Sequence, residues 1–140
     1  MESKSHFRQS MHRVPLVSLV DDDQSVRESI PELLKTVGYA SQAFASAEEF
    51  LVSQFVDKTD CLLLDVAMPT MSGPALAQEL SRRRKTVPIV FITAVADDGL
   101  RAGLLAAGAT GVLIKPFSET DLLGAISAAL RPHRSSDQPS

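Results

Sequence analysis

Between residues 15 and 130, short apolar runs alternate with longer stretches whose apolar positions recur every three or four residues. Runs of the first kind predict strands, and the 3.6-residue recurrence predicts helices. Strands are expected at 16–20, 39–44, 61–64, 87–92 and 112–114. The run at 39–44 is the weakest of them, and Pro88 stands at the entrance of the fourth. Helices are expected at 24–37, 47–55 and 73–85, from Asp97 or Asp98 to about 107, and from Ser118 to 130. In the first helix Val26, Ile30, Leu33, Leu34 and Val37 share one face. Ser25 with Glu28 has the spacing of a capping box. Pro31 is awkward there, because a proline inside a helix deletes a hydrogen bond. Gly38 and Gly108 follow helices as αL-permissive stops. Ser46 and Ser118 precede helices as caps.

Five strands thus alternate with five helices. The middle strands are apolar throughout, as strands buried on both faces are, and each is followed by a crossover helix. That combination predicts an α/β domain with a doubly wound, five-stranded parallel sheet. Ligands of such sheets bind beyond the carboxyl ends of the strands, at the topological switch point. The domain is expected to span 14–130. Residues 1–13 and 131–140 lack apolar period and read as polar, flexible tails, the second equally a linker stub.

Composition narrows the setting. Hydrophobic residues at 44% and charged residues at 22% are a soluble globular balance. No apolar stretch approaches the roughly 20 residues that cross a bilayer, and residues 1–13 lack the apolar centre of a signal peptide. The lone cysteine, Cys61, lies in an apolar run and fits core packing in a reducing compartment. A cytoplasmic protein without membrane contact is expected. The net charge is −3, but residues 1–13 carry +2 and residues 131–140 carry +1, leaving −6 on 14–130 from 15 acids and 9 bases. Such a core is a poor binder of nucleic acid. It is well suited to a cation.

Chemistry gathers at the strand ends. The first strand runs into Asp21, Asp22 and Asp23, the third into Asp65, the fourth into Thr93 and the fifth into Lys115. If strands one and three are neighbours, three or four carboxylates share one crevice, which is costly unless a cation or shared protons relieve it. A few carboxylates plus waters suit Mg²⁺. Carboxylate, Mg²⁺, hydroxyl and ammonium are together the parts for phosphoryl transfer. Asp65 is the best nucleophile, standing alone at the central strand end.

VSLVDDDQSVR (17–27), LLLDVAMPTMSG (62–73), FITA (91–94) and LIKPF (113–117) resemble the receiver domain of two-component response regulators, in its FixJ-like form. The likeness covers nearly everything outside the tails, and the order and spacing of the motifs make it specific. It implies a flavodoxin-like (βα)5 fold with strand order 2-1-3-4-5. It implies that Asp65 accepts a phosphoryl group from a sensor histidine kinase or a phosphotransfer protein. Asp22 would bind Mg²⁺ directly and Asp21 through water, Asp65 would belong to the same metal site, and the Ala67 carbonyl would complete the protein ligands. Thr93 and Lys115 would contact the phosphoryl oxygens, and the Lys115–Pro116 peptide would be cis. A homodimer through the helix 4–strand 5–helix 5 face is a further expectation. The chain departs from the family at Val112, where many receivers carry an aromatic switch residue, and at Ala67 and Val95, which are often polar.

Other features read more plainly. Arg82, Arg83, Arg84 and Lys85 fit a solvated helix C-terminus, where cations complement the dipole. His6, His12 and His133 lie in the tails, without metal-ligand spacing. The leading function is a phosphoryl-accepting signalling module, whose only chemistry is self-phosphorylation and slow self-dephosphorylation. The alternative is a phosphorylation-independent interaction module of the same fold. A Mg²⁺-dependent phosphatase is weakened by the lack of a second acid–base carboxylate and by short loops that leave little substrate room.

Overall fold

The computed structural model describes residues 13–131, so the expectations for 1–12 and 132–140, including His6, His12 and His133, lie outside the described residues. In β1 (Leu16–Val20), Val17 and Leu19 point to one side and Val20 to the other, all fully buried. This two-sided burial sets the architecture. β2 (Ala40–Phe44), β3 (Cys61–Asp65), β4 (Ile89–Thr93) and β5 (Gly111–Ile114) join β1 in one parallel sheet, in the order β2-β1-β3-β4-β5. α1 (Gln24–Thr36) and α5 (Glu119–Leu130) cover one face through Ile30, Leu34, Leu122 and Ile126. α2 (Ala47–Leu51), α3 (Gly73–Arg82) and α4 (Asp98–Ala106) cover the other through Phe50, Leu76, Leu80 and Leu104. Each fully buried Leu or Phe contributes about 1.5–3 kcal/mol of transfer free energy. The expected doubly wound, flavodoxin-like (βα)5 sheet is therefore the fold of the chain. Among the described residues, no helix is long and apolar enough to cross a membrane.

Local departures have local causes. The N-cap of α1 is Asp23 rather than Ser25: its carboxylate accepts from the Ser25 backbone N–H at 2.9 Å and from Ser25 Oγ at 2.8 Å. Glu28 instead accepts from the Gln24 side chain. α1 continues through Pro31, and Val37, expected on its buried face, is 46% exposed. α2 stops at Leu51, short of residue 55, because Ser53 Oγ donates to the Phe50 carbonyl at 2.7 Å and competes with the helical pattern. A 3₁₀ turn, Val56–Lys58, follows. β4 begins at Ile89, after Pro88, which has no N–H for a ladder.

α3 also ends early, at Arg82. There Lys85 N–H donates to the Leu80 carbonyl and Arg84 N–H to the Ser81 carbonyl, with Arg84 at φ 62°. Gly38 and Gly108 make the same closure after α1 and α4, at φ 91° and 109°. Arginine thus occupies a left-handed position that glycine fills at no steric cost.

Candidate functional site at the carboxyl edge of the sheet

The chain leaves β1 toward β2 on one side and returns to β3 on the other, so the switch point lies between β1 and β3. Val20 pairs with Leu64, which carries Asp21 and Asp65 out of the sheet side by side. Asp21 is fully buried, Asp65 is nearly so, and Asp22 is exposed. Ligand oxygens of these three carboxylates lie within 4.8 Å of one another. Asp23, the fourth acid expected in the crevice, is turned away to cap α1.

Asp21 is held from several directions. Its N–H donates to the Phe44 carbonyl at 3.1 Å, and its Oδ1 accepts from the Asp23 N–H at 2.9 Å. Its Oδ2 has no hydrogen-bond donor, although it is buried. Lys115 Nζ stands 3.2 Å from that oxygen, an ion pair outside hydrogen-bonding geometry. The oxygen therefore has a favourable charge beside it but an unfilled lone pair. Lys115 is anchored by its own N–H, which donates to the Thr93 carbonyl at 2.8 Å. The Lys115–Pro116 peptide is cis.

Burial, with the Asp21 charge beside it, pushes the Asp65 carboxyl up to about 7, against the opposing pull of Lys115. A single ammonium does not neutralise three carboxylates. The donor set is hard oxygen and the surplus is negative, and a buried carboxylate oxygen lacks a donor. These residues fit a divalent cation of the Mg²⁺ type. Ala67 follows two residues beyond Asp65 and is exposed.

Thr93 is buried at the end of β4, one strand from Asp65. Its hydroxyl accepts from the Val95 N–H at 3.0 Å, so it is engaged with its own loop rather than with the carboxylates. Val95 is 55% exposed, and Val112 is half-buried against the apolar cluster that contains Phe91.

Two further residues belong to this region. Gly73 is buried where α3 begins, and a Cβ there would overlap the Asp65 carbonyl oxygen. Its N–H donates to the Val66 carbonyl at 2.9 Å. The only sequence signal was a glycine just after a helix cap, where a strand must pass close. The other is Arg27, whose Nη1 donates to the Asp21 carbonyl at 2.9 Å. Nothing in its spacing marked it, since a basic residue on a helix is ordinary. Between Asp65 and Gly73 the backbone also holds Thr70 at φ 71°, a left-handed conformation that a β-branched residue rarely adopts.

The remaining charged features are structural. Glu79 pairs with Arg82 at 2.6 Å and Arg83 at 2.8 Å, and those partners hold its carboxyl down at about 2. Lys85 pairs with Asp57. Cys61 is buried, and burial pushes its thiol up to about 12, as befits core packing.

Comparison with known proteins agrees with the geometry. The family model for the response regulator receiver domain matches residues 17–127. The chain is 36% identical over 135 residues to the response regulator protein TodT of Pseudomonas putida, covering 95% of this chain and 60% of that protein. It is 40% identical over 119 residues to nodulation protein W of Bradyrhizobium diazoefficiens, covering 85% of this chain and 52% of that protein. The chain thus spans little more than half the length of these relatives. Among solved structures it is similar to the response regulator StyR, with a TM-score of 0.79 at 40% identity over 90% of this chain and 64% of that one. It is also similar to FixJ-N, with a TM-score of 0.75 at 32% identity over 84% and 94%. The chain belongs to the response regulator receiver domains of two-component systems.

Proposed function

We propose that this receiver takes a phosphoryl group onto Asp65 from a phosphohistidine of a sensor histidine kinase or phosphotransfer protein. The observation that carries the reading is the crowding of Asp65, Asp21 and Asp22 beside one ammonium, that of Lys115, at the switch point of the sheet. An Asp65 carboxylate oxygen attacks phosphorus, the phosphorus–nitrogen bond breaks, and the imidazole leaves with the electron pair. Lys115 would pair with the phosphoryl oxygens, and Thr93, whose hydroxyl oxygen accepts from the Val95 N–H, keeps its hydroxyl hydrogen to donate to them. Asp22, Asp65 and the Ala67 carbonyl would hold Mg²⁺ directly, with Asp21 acting through a water. When bound, the ion offsets the carboxylate charge and the charge of the incoming phosphoryl group.

The protein is a signalling module with no turnover substrate, and the net charge of −6 on 14–130 supports a protein partner rather than nucleic acid. A cytoplasmic setting and a homodimer through α4, β5 and α5 belong to the same reading. Exposed Leu105 and Ile114 on that face support the dimer. Incubation with acetyl phosphate and Mg²⁺, followed by intact mass, tests the reading. One phosphoryl adduct is expected, and none in Asp65→Asn. Full labelling of Asp65→Asn would move the acceptor elsewhere. An unlabelled parent would favour the phosphorylation-independent module, and phosphate release without an adduct would favour a phosphatase.

A further inference from the structure

Arg27 occupies the fourth helical position of α1, in a chain whose Asp23 caps that helix. Helical side chains lean back toward the N-terminus, so a long residue here covers the first turn rather than its own. That end of a helix carries the positive pole of the dipole and disfavours a cation. Arg27 nevertheless places its guanidinium there, half-buried, with Nη1 2.9 Å from the Asp21 carbonyl oxygen. A locally unfavourable residue with a specific long-side-chain contact points to a role outside the helix.

The contact completes a set. Asp21 is tied to β2 through its N–H, to Asp23 through Oδ1 and to Lys115 through Oδ2. The Arg27 bond adds the carbonyl, and that carbonyl opens the peptide linking Asp21 to Asp22. Asp22 is the exposed member of the carboxylate cluster. Fixing the Asp21 carbonyl fixes the plane of the peptide from which the Asp22 side chain starts.

We infer that Arg27 is a positioning residue for the cation site, orienting the Asp21–Asp22 peptide so that both carboxylates face Asp65. This rests on the Mg²⁺ reading above. Its effect is opposite in sign to that of charge alone. A guanidinium near a cation site repels the cation, so if Arg27 acted only as a charge, its removal would tighten binding. If it orients ligands, its removal weakens binding, and residues that orient metal ligands are worth about ten- to a hundredfold in affinity.

The test is titration of the whole chain with magnesium chloride, followed by NMR, for the parent, Arg27→Met and Arg27→Lys. Arg27→Met is expected to bind about tenfold more weakly, and Arg27→Lys to fall between it and the parent, since its single point-charge donor replaces the planar fork. In metal-free protein the Asp23 amide, bonded to Asp21 Oδ1, should exchange faster in Arg27→Met. Binding by Arg27→Met equal to or tighter than the parent would overturn the inference. Should Arg27→Met not fold, Arg27→Lys decides: weaker binding at an unchanged melting temperature supports positioning, and unchanged binding overturns it. A parent that binds no Mg²⁺, or that binds equally well as Asp22→Ala, would instead sink the cation reading. Amide exchange at Asp23 would then decide the role of Arg27, unchanged exchange counting against it.

Discussion

β1 and its neighbours hold an acid–base pair at each edge of the sheet, and the two are built differently. At the amino edge, Asp60 accepts two bonds from Arg13, at 2.8 and 3.0 Å, and a third from the Leu16 N–H at 2.7 Å. Burial alone would raise its carboxyl, but these donors outweigh it and hold the group below the usual range. At the carboxyl edge, Asp21 Oδ2 is buried without a donor, and Asp65 is pushed up to about 7. One carboxylate is satisfied and the other cluster is left short of positive charge. Polar groups buried for stability are normally paired, so the unpaired end is the one whose arrangement stability alone does not explain.

The largest expected way to break this contrast is steric. In Gly73→Ala the new Cβ overlaps the Asp65 carbonyl, so α3 or the backbone at Asp65 must shift. The expected cost is about 2–3 kcal/mol in urea unfolding, together with slower labelling by acetyl phosphate. An alanine tolerated without loss would mean that α3 yields freely there.

Next in size is the lifetime of the phosphorylated state. In-line hydrolysis needs a positioned water, and Ala67 and Val95 offer no polar side-chain atom to hold one. Slow decay is expected. Ala67→Asn and Val95→Glu should each accelerate it roughly ten- to thirtyfold, corresponding to about 1.4–2 kcal/mol in the barrier. Timed decay of the adduct checks this, and unchanged rates in both variants would remove side-chain positioning as the cause.

The two ends should also answer neutralisation with opposite signs. Asp65→Asn removes one of three crowded carboxylates and should stabilise the metal-free protein by about 1 kcal/mol, while Asp60→Asn should cost about 1 kcal/mol. Their pH dependence follows. The folded-state carboxyl of Asp60 titrates below its unfolded value, so its contribution is complete above about pH 4 and is lost as pH falls through the lower folded value. The Asp65 carboxyl titrates above its unfolded value, so the unfolded chain binds fewer protons between about pH 4 and about pH 7, and stability falls as pH rises across that window. In metal-free buffer the parent should melt higher at pH 5 than at pH 7.5, and Asp65→Asn should lose that difference. A parent with the reverse slope would show that Asp65 is not the strained group.

The smallest effect lies away from both ends. Arg84→Gly relieves a left-handed arginine at the end of α3 and should stabilise by about 0.5–1 kcal/mol, measured as a small rise in melting temperature.

These expectations were legible in the chain to different degrees. Apolar runs such as 61–64 announced the parallel sheet, because strands buried on both faces carry few polar residues, and those only where a partner is found, as Ser18 finds Thr59. Asp21, Asp65 and Lys115 could be picked out because each directly follows an apolar run, and Asp22 because it adjoins Asp21. Asp23 could not be separated from them by spacing, since whether an acid caps a helix or enters a cluster depends on where the backbone turns. The early ends of α2 and α3 were hidden as well. They turn on the Ser53 hydroxyl and on a left-handed Arg84, which compete locally with a periodic pattern that itself continues.

By itself, the sequence determined the alternation of strands and helices, the burial of the sheet on both faces and the edge at which the polar residues collect. Those follow from periodicity and from the cost of burying polar groups, which are properties of neighbours along the chain. Only the tertiary structure decided that three carboxylates rather than four share the crevice and that Thr93 is engaged with Val95. It also decided that Gly73 must lack a side chain beneath Asp65 and that Arg27 reaches back to the Asp21 carbonyl. Each of these is a contact made across the fold or across a turn, where distance in space is set by strand pairing and helix packing, and residue type alone carries no record of the partner.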